Sequence, residues 1–172
     1  SWINTYIRNL ENCVNKAGLN LLDLVPSPLW SAEAVLTKRQ KDLGVAVIDI
    51  GSTITTLVVY EEGVPIYTAY IPVSGETITK DLAIGLRTSI DVAEKIKIEF
   101  GHCIEGHQNK REMIDLSTIS STDTHVVSKY QMCQIIEARV SEIFSLVKQE
   151  LKQIWRDGLL PAGVIITWWS SV

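Results

Sequence analysis

The chain has 172 residues, 46% of them hydrophobic, enough for a sizeable core in one domain or two small ones. Its net charge of −4, with no basic run and no basic stripe studded with aromatics, argues against a nucleic-acid partner. No apolar run reaches the roughly 18 residues of a membrane-spanning helix, and no signal-peptide pattern is present.

Taken in order, Ile3, Ile7, Leu10, Val14 and Ala17 recur at helical spacing, and Gly18 stops that helix. Leu19 to Val25 reads as a strand and Pro26-Ser27-Pro28 as a turn. Ser31 to Leu36 reads as a short helix starting near Pro28, and Lys38 to Asp42 as a charged connector. Three β-branched runs follow, Val45 to Ile50, Thr56 to Tyr60 and Val64 to Val73, forming a meander. After a Ser74-Gly75 turn, Thr77 to Leu86 puts Ile78, Leu82, Ala83 and Leu86 on one helix face. Ser89 is a plausible N-cap for a helix from Ile90 to Phe100, which Gly101 ends.

Cys103 to Ser128 is polar and weakly periodic, with short strands expected at Met113 to Leu116 and His125 to Val127. His102, Cys103 and His107 have no second ligand pair at metal-site spacing, so a solvated loop is expected there. Cys13, Cys103 and Cys133 are odd in number and unclustered, which fits reduced thiols in cytoplasm better than disulfides. Ser128 opens the longest helix, to about Trp155, with a stripe of Ile135, Ile136, Val140, Ile143, Phe144, Val147, Leu151 and Ile154 that reads as core. Asp157-Gly158 ends it, and Ala162 to Thr167 is a last buried strand. A first helix with no preceding strand and a last strand with no following helix are expected of an internal piece of a larger protein.

The stretch with chemistry in it is Gly44 to Tyr60. Two strands joined by a Gly/Ser/Thr turn, with Asp49 just before Gly51, suit a phosphate tail. Backbone N–H groups and the hydroxyls of Ser52, Thr53 and Thr55 can cradle the anion, Gly51 permits close approach, and Asp49 can hold Mg²⁺ through water. On this stretch alone an ordinary hairpin with a polar turn is an equal alternative.

Asp49-Ile50-Gly51, Ile84-Gly85-Leu86-Arg87-Thr88 followed by Ala93-Glu94-Lys95-Ile96-Lys97, and Leu160 to Thr167 together resemble the FtsA family of bacterial cell-division proteins, members of the actin/Hsp70/sugar-kinase ATPase superfamily. Ala17-Gly18-Leu19 and Ser31 to Leu36 extend the resemblance over nearly the whole chain. It implies an α/β fold: one half of an actin-like, ribonuclease H-like ATPase, a mixed sheet with flanking helices and an inserted α+β subdomain. It further implies a first part of subdomain 2A at 1–71, subdomain 2B at 72–150 and the last part of 2A at 151–172. The half carrying the other phosphate loop, and a C-terminal membrane helix, would lie outside this chain.

The resemblance implies ATP and Mg²⁺ as cofactors. Asp49 and Gly51 match the second phosphate hairpin, and Glu94 and Lys97 match a helical Glu-x-x-Lys pair lining the adenosine pocket. A surface ion pair is the plainer reading of Glu94 and Lys97. The implied function is a cell-division protein that polymerises with itself and tethers the FtsZ ring to the cytoplasmic membrane at the septum, binding the acidic, apolar FtsZ C-terminal tail with Lys129 and Arg139; a solvated helix face is the plainer reading of those two. Turnover would be weak at most, and the fragment alone, lacking half the phosphate clamp, is expected to be inactive. No sugar pocket or obvious catalytic base supports a kinase or Hsp70-type enzyme.

Three departures qualify the resemblance. Ser52, Thr53, Ile54 and Thr56 replace Gly, Gly, Thr and a final Asp in the usual hairpin, which is closer to PilM, a type IV pilus platform protein, and makes that the alternative. Thr167-Trp168-Trp169 replaces Thr-Gly-Gly at the adenosine strand, placing indoles among the nucleotide-binding positions. Trp155 and Trp30 also stand where small residues are usual. Either the chain is a nucleotide-dead scaffold, or some or all of Trp2, Trp30, Trp155, Trp168 and Trp169 are glycines in an organism that reads UGA as glycine.

Overall fold

The computed structural model describes residues 2–101, 111–121, 123 and 125–168. Helices α1 (Trp2–Lys16), α2 (Ser27–Val35) and α3 (Lys38–Leu43) lead into strands β1 (Val45–Ile50), β2 (Thr55–Glu61) and β3 (Val64–Ile71). Helices α4 (Gly75–Leu86) and α5 (Ile90–Phe100) follow, then β4 (Met113–Asp115), a 3₁₀ turn at Leu116–Thr118, β5 (Val126–Ser128), the long helix α6 (Lys129–Gln153) and β6 (Val164–Trp168).

The main sheet runs β3-β2-β1-β6. β1 pairs antiparallel with β2, Asp49 opposite Thr56, and parallel with β6, Asp49 beside Thr167. β1 is apolar except for Asp49, because both its faces are covered. Ala46, Ile48 and Ile50 lie with Leu57, Val59 and Ile71 beneath Ile143, Val147 and Leu151 of α6. Val45 and Val47 lie with Val58 and Tyr60 beneath Ala32 of α2 and Leu36 just after it. A second core joins α4 and α5 to the β4–β5 ribbon, with Ile78, Leu82, Ile96, Leu116 and Met132 fully buried. The N-terminal half of α6 supplies Met132, Cys133 and Ile136 to this core, and its C-terminal half packs on the sheet.

Several expectations hold closely. Ser89 accepts a hydrogen bond from the Val92 N–H and caps α5. Ser128 accepts one from the Gln131 N–H and caps α6. Ser74 lies beside Thr77 at the start of α4, which begins two residues earlier than expected.

Others are corrected. Residues 19–25 form no strand; Leu22 is 91% exposed, and with no neighbouring strand an apolar run has nothing to pair with. Lys38 to Asp42 is no connector but the body of α3, opened by a capping box in which Thr37 and Gln40 satisfy each other's backbone N–H groups. In α6, Phe144 is 37% exposed and leaves the expected stripe; Ile136, Ile143, Val147 and Leu151 are buried as expected, Ile135, Val140 and Ile154 pack at the core edges, and Met132 and Cys133 join them. Cys133 is disulfide-bonded, against the expectation of reduced thiols. Cys13 is free and exposed. His102, Cys103 and His107 lie outside the described residues. No helix among the described residues is long and apolar enough to cross a membrane.

Candidate functional site

The turn between β1 and β2 closes through a hydrogen bond from the Gly51 N–H to the Ile54 carbonyl, 3.1 Å. A Cβ on Gly51 would stand 2.8 Å from that carbonyl oxygen, so steric contact, not backbone handedness, demands glycine here. The carbonyls of Gly51 and Ser52 then accept the N–H groups of Gly75 (3.0 Å) and Glu76 (2.8 Å). These are opening residues of α4, where N–H groups have no partner within the helix, so the turn is fastened to the helix start. Ser52 and Thr53 are exposed on the rim of the turn. Their N–H groups donate to no backbone carbonyl among the described residues, which leaves them available to an anion. Thr55 is buried, and its hydroxyl donates to the Val73 carbonyl at 2.6 Å.

Glu94 and Lys97 sit one turn apart on α5 and form a single polar cluster with α4. The Lys97 ammonium donates to the Glu94 carboxylate at 2.7 Å, to the Thr79 hydroxyl at 2.8 Å and to the Gly75 carbonyl at 3.2 Å. The Thr79 hydroxyl also contacts Glu94. Burial pushes the Glu94 carboxyl upward, but the hydrogen bonds from Lys97 and Thr79 and the Lys97 charge outweigh it and hold the group below the usual carboxylate range. Gly75 thus touches both the turn and Lys97, which joins two motifs more than 40 positions apart in sequence.

Asp49 points to the opposite face of the sheet, toward α2. Its Oδ2 accepts from the Ser31 hydroxyl at 3.0 Å and its Oδ1 from the Thr167 hydroxyl at 2.9 Å. Across the β1–β2 pair stands Thr56, whose buried hydroxyl oxygen has no hydrogen-bond partner. A carboxylate steadied by hydroxyls, beside an unsatisfied hydroxyl, fits a hydrated Mg²⁺ held through water. A directly coordinating cage is absent among the described residues, which hold no group of three or more acidic, His or Cys ligands.

Trp168 ends β6 beside Ile50 and is 47% exposed; Trp169 lies outside the described residues. Lys129 and Arg139 are ten positions apart on α6, about 15 Å along its axis. Lys129 pairs with Glu112 at 2.7 Å. Arg139 forks onto Asp81 of α4 and reaches Glu142 at 2.5 Å, and both carboxylates push its guanidinium pKa further up. The Asp81–Arg139–Glu142 cluster edges an open groove between α4 and α6 that also exposes Ile84 and Ile135. Ser31, Thr79 and Gly75 were not expected at the site. For Thr79 the signal was available, because a hydroxyl on the buried face of a helix needs a partner.

The family profile of the "Cell division protein FtsA" matches residues 46–161, from β1 to just before β6. The chain belongs to the FtsA family. It is 39% identical over 163 residues to the FtsA of Bacillus subtilis and 40% identical over 164 residues to that of Neisseria meningitidis, covering 95% of this chain in both cases. It spans only 37% and 40% of the length of those relatives. Among solved structures, MreB5 of Spiroplasma citri bound to ADP superposes with a TM-score of 0.72 at 18% identity, over 94% of this chain and 52% of that one. The PilM–PilN type IV pilus biogenesis complex superposes with a TM-score of 0.62 at 19% identity, over 94% of this chain and 40% of that one. These likenesses establish the actin-like ATPase fold. Because the curated relatives are FtsA proteins, the PilM-like alternative is the less well supported.

Proposed function

We propose that this FtsA-family chain contributes one wall of an ATP site to an actin-like cell-division protein. In the intact protein the β1–β2 turn binds the phosphates through the N–H groups and hydroxyls of Ser52 and Thr53. Asp49 holds Mg²⁺ through water, and Glu94 and Lys97 line the nucleoside side, with Thr167 and positions 168 and 169 flanking it. Thr55 supports the turn from below. ATP and its Mg²⁺ clamp two halves of the protein together, so that binding shifts a conformational equilibrium and turnover is secondary. The observation that carries this reading is the fastening of the Gly51–Ile54 turn to α4 through Gly75, the residue that Lys97 also holds.

The same proposal takes 1–71 and 151–172 as parts of subdomain 2A and 72–150 as subdomain 2B. It places the protein at the septum, on the cytoplasmic side of the membrane, as a self-assembling filament anchored by a C-terminal helix and tethering FtsZ. The groove between α4 and α6 takes the FtsZ tail. Arg139, already bridged to Asp81 and Glu142, meets the tail's carboxylates by exchanging one of those partners, Ile84 and Ile135 supply the apolar surface, and Lys129 lies further along α6.

The test uses the full-length protein. Mg²⁺-ATP raises its melting temperature, and Asp49→Asn or Lys97→Ala removes most of that rise. An FtsZ C-terminal peptide binds, and Arg139→Glu weakens it without changing the ATP response. A melting curve insensitive to ATP would overturn the nucleotide reading, and peptide binding indifferent to Arg139→Glu would overturn the groove assignment.

A further inference from the structure

We propose that Ser31 is a positioning residue for Asp49, setting how tightly the hairpin takes a hydrated divalent cation arriving with a nucleoside triphosphate. This rests on the reading of Asp49 given above. α2 is rotationally fixed on β1, because Pro28 and Ala32 are buried and Ala32 packs with Val45 and Val47. That rotation brings Ser31 over the C-terminal end of β1, where its hydroxyl donates to Asp49 Oδ2 at 3.0 Å. Thr167 donates to Oδ1 at 2.9 Å. One carboxylate is therefore held from two sides by donors on separate elements. Each donor occupies one lone pair and leaves others for water, so the carboxylate is oriented without being neutralised. The Thr56 hydroxyl opposite has no partner, and a water in the shell of such an ion would supply one.

The test compares the affinity of the full-length protein for ATP with Mg²⁺ and with EDTA, by calorimetry. Ser31→Ala lowers the Mg²⁺-dependent affinity by about tenfold or more, the lower end of what one hydrogen bond to a charged group is worth, and leaves the EDTA value unchanged. Ser31→Thr retains the wild-type values. In an Asp49→Asn background Ser31→Ala has no further effect, because the two act as one unit. Equal losses with and without Mg²⁺, or no loss, overturn the role of Ser31 while the hairpin reading stands. If Asp49→Asn itself leaves the Mg²⁺ dependence intact, the reading of Asp49 falls and the role of Ser31 with it.

Trp155 follows α6 with φ +58°, in a helix-ending motif where the Arg156 N–H reaches back to the Leu151 carbonyl at 2.8 Å and the Trp155 N–H to Lys152 at 3.1 Å. That left-handed position is the one glycine fills at helix C-termini, and a bulky side chain is strained there. The indole gains nothing in return, being 80% exposed. Trp30 and Trp168 are also 63% and 47% exposed, unusual for a residue that is mostly buried on average. We infer that position 155 is glycine in the protein made by its own cell, encoded by a UGA codon that this organism reads as glycine. The same exchange at 168 would bare the backbone next to Asp49 and Thr167. Peptide mass mapping of the protein purified from its source cells, with the gene's codons, decides it. Glycine at 155 with a UGA codon is expected. A tryptophan-bearing peptide across 155, or a UGG codon there, overturns the inference.

Discussion

The N–H of Gly75 donates to the carbonyl of Gly51 at 3.0 Å, and this bond fastens the β1–β2 turn to the start of α4. The two glycines differ in what they tolerate. A Cβ on Gly51 meets the Ile54 oxygen at 2.8 Å, whereas one on Gly75 meets nothing closer than 3.5 Å. Gly51→Ala is therefore expected to destabilise the protein by about 1–3 kcal/mol, and Gly75→Ala by less than about 0.5 kcal/mol. Urea denaturation midpoints of the two variants check the contrast.

Acid should loosen the Glu94–Lys97 cluster. Because the carboxyl of Glu94 is held below its ordinary value in the folded protein, it binds a proton more weakly there than in the unfolded chain. The stability it contributes is present above the unfolded value and is lost as pH falls through the folded one. Glu94 is only part-buried, so solvent screening limits the effect to about 1 kcal/mol or less. Melting temperature against pH for wild type and Glu94→Gln tests this: the wild type should lose its advantage as pH falls below the ordinary glutamate range.

Trp155→Gly is expected to raise stability by roughly 1 kcal/mol, and Trp155→Ala by distinctly less, since only glycine escapes the left-handed strain. Thermal denaturation of the recombinant protein measures both.

Ile143→Ala should cost about 2–5 kcal/mol by opening a cavity beneath the sheet, because Ile143 is fully buried. Phe144→Ala, next to it in sequence and 37% exposed, is expected to cost clearly less. Chemical denaturation of each variant separates the face of α6 that carries the core from the face that does not.

Purified residues 1–172 are expected to show no Mg²⁺-dependent ATP turnover. Turnover abolished by Asp49→Ala in a coupled phosphate-release assay would refute that.

Local chemistry made much of the fold legible in sequence. α5 begins and ends where Ser89 and Gly101 place it, and β1 could be read from its β-branched run because a strand covered on both faces needs no alternation. The failures have physical reasons. Leu19 to Val25 has strand-like composition, but a strand exists only through its neighbours, and no strand pairs with it. The opening of α3 was readable in Thr37-x-x-Gln40, yet its run of charges masked the signal. At the candidate site, Asp49 and Gly51 could be singled out from the strand–turn–strand pattern together with the family resemblance. Ser31 could not, because its meeting with Asp49 depends on how α2 is rotated against β1, which no local pattern records.

The long helix α6 sits in both cores at once, its first half closing the α4–α5 unit and its second half roofing the sheet. Neither core can lose its packing without withdrawing the helix from the other. The two should therefore melt as one cooperative unit, with hydrogen exchange at Met132 and at Val147 reporting the same opening free energy.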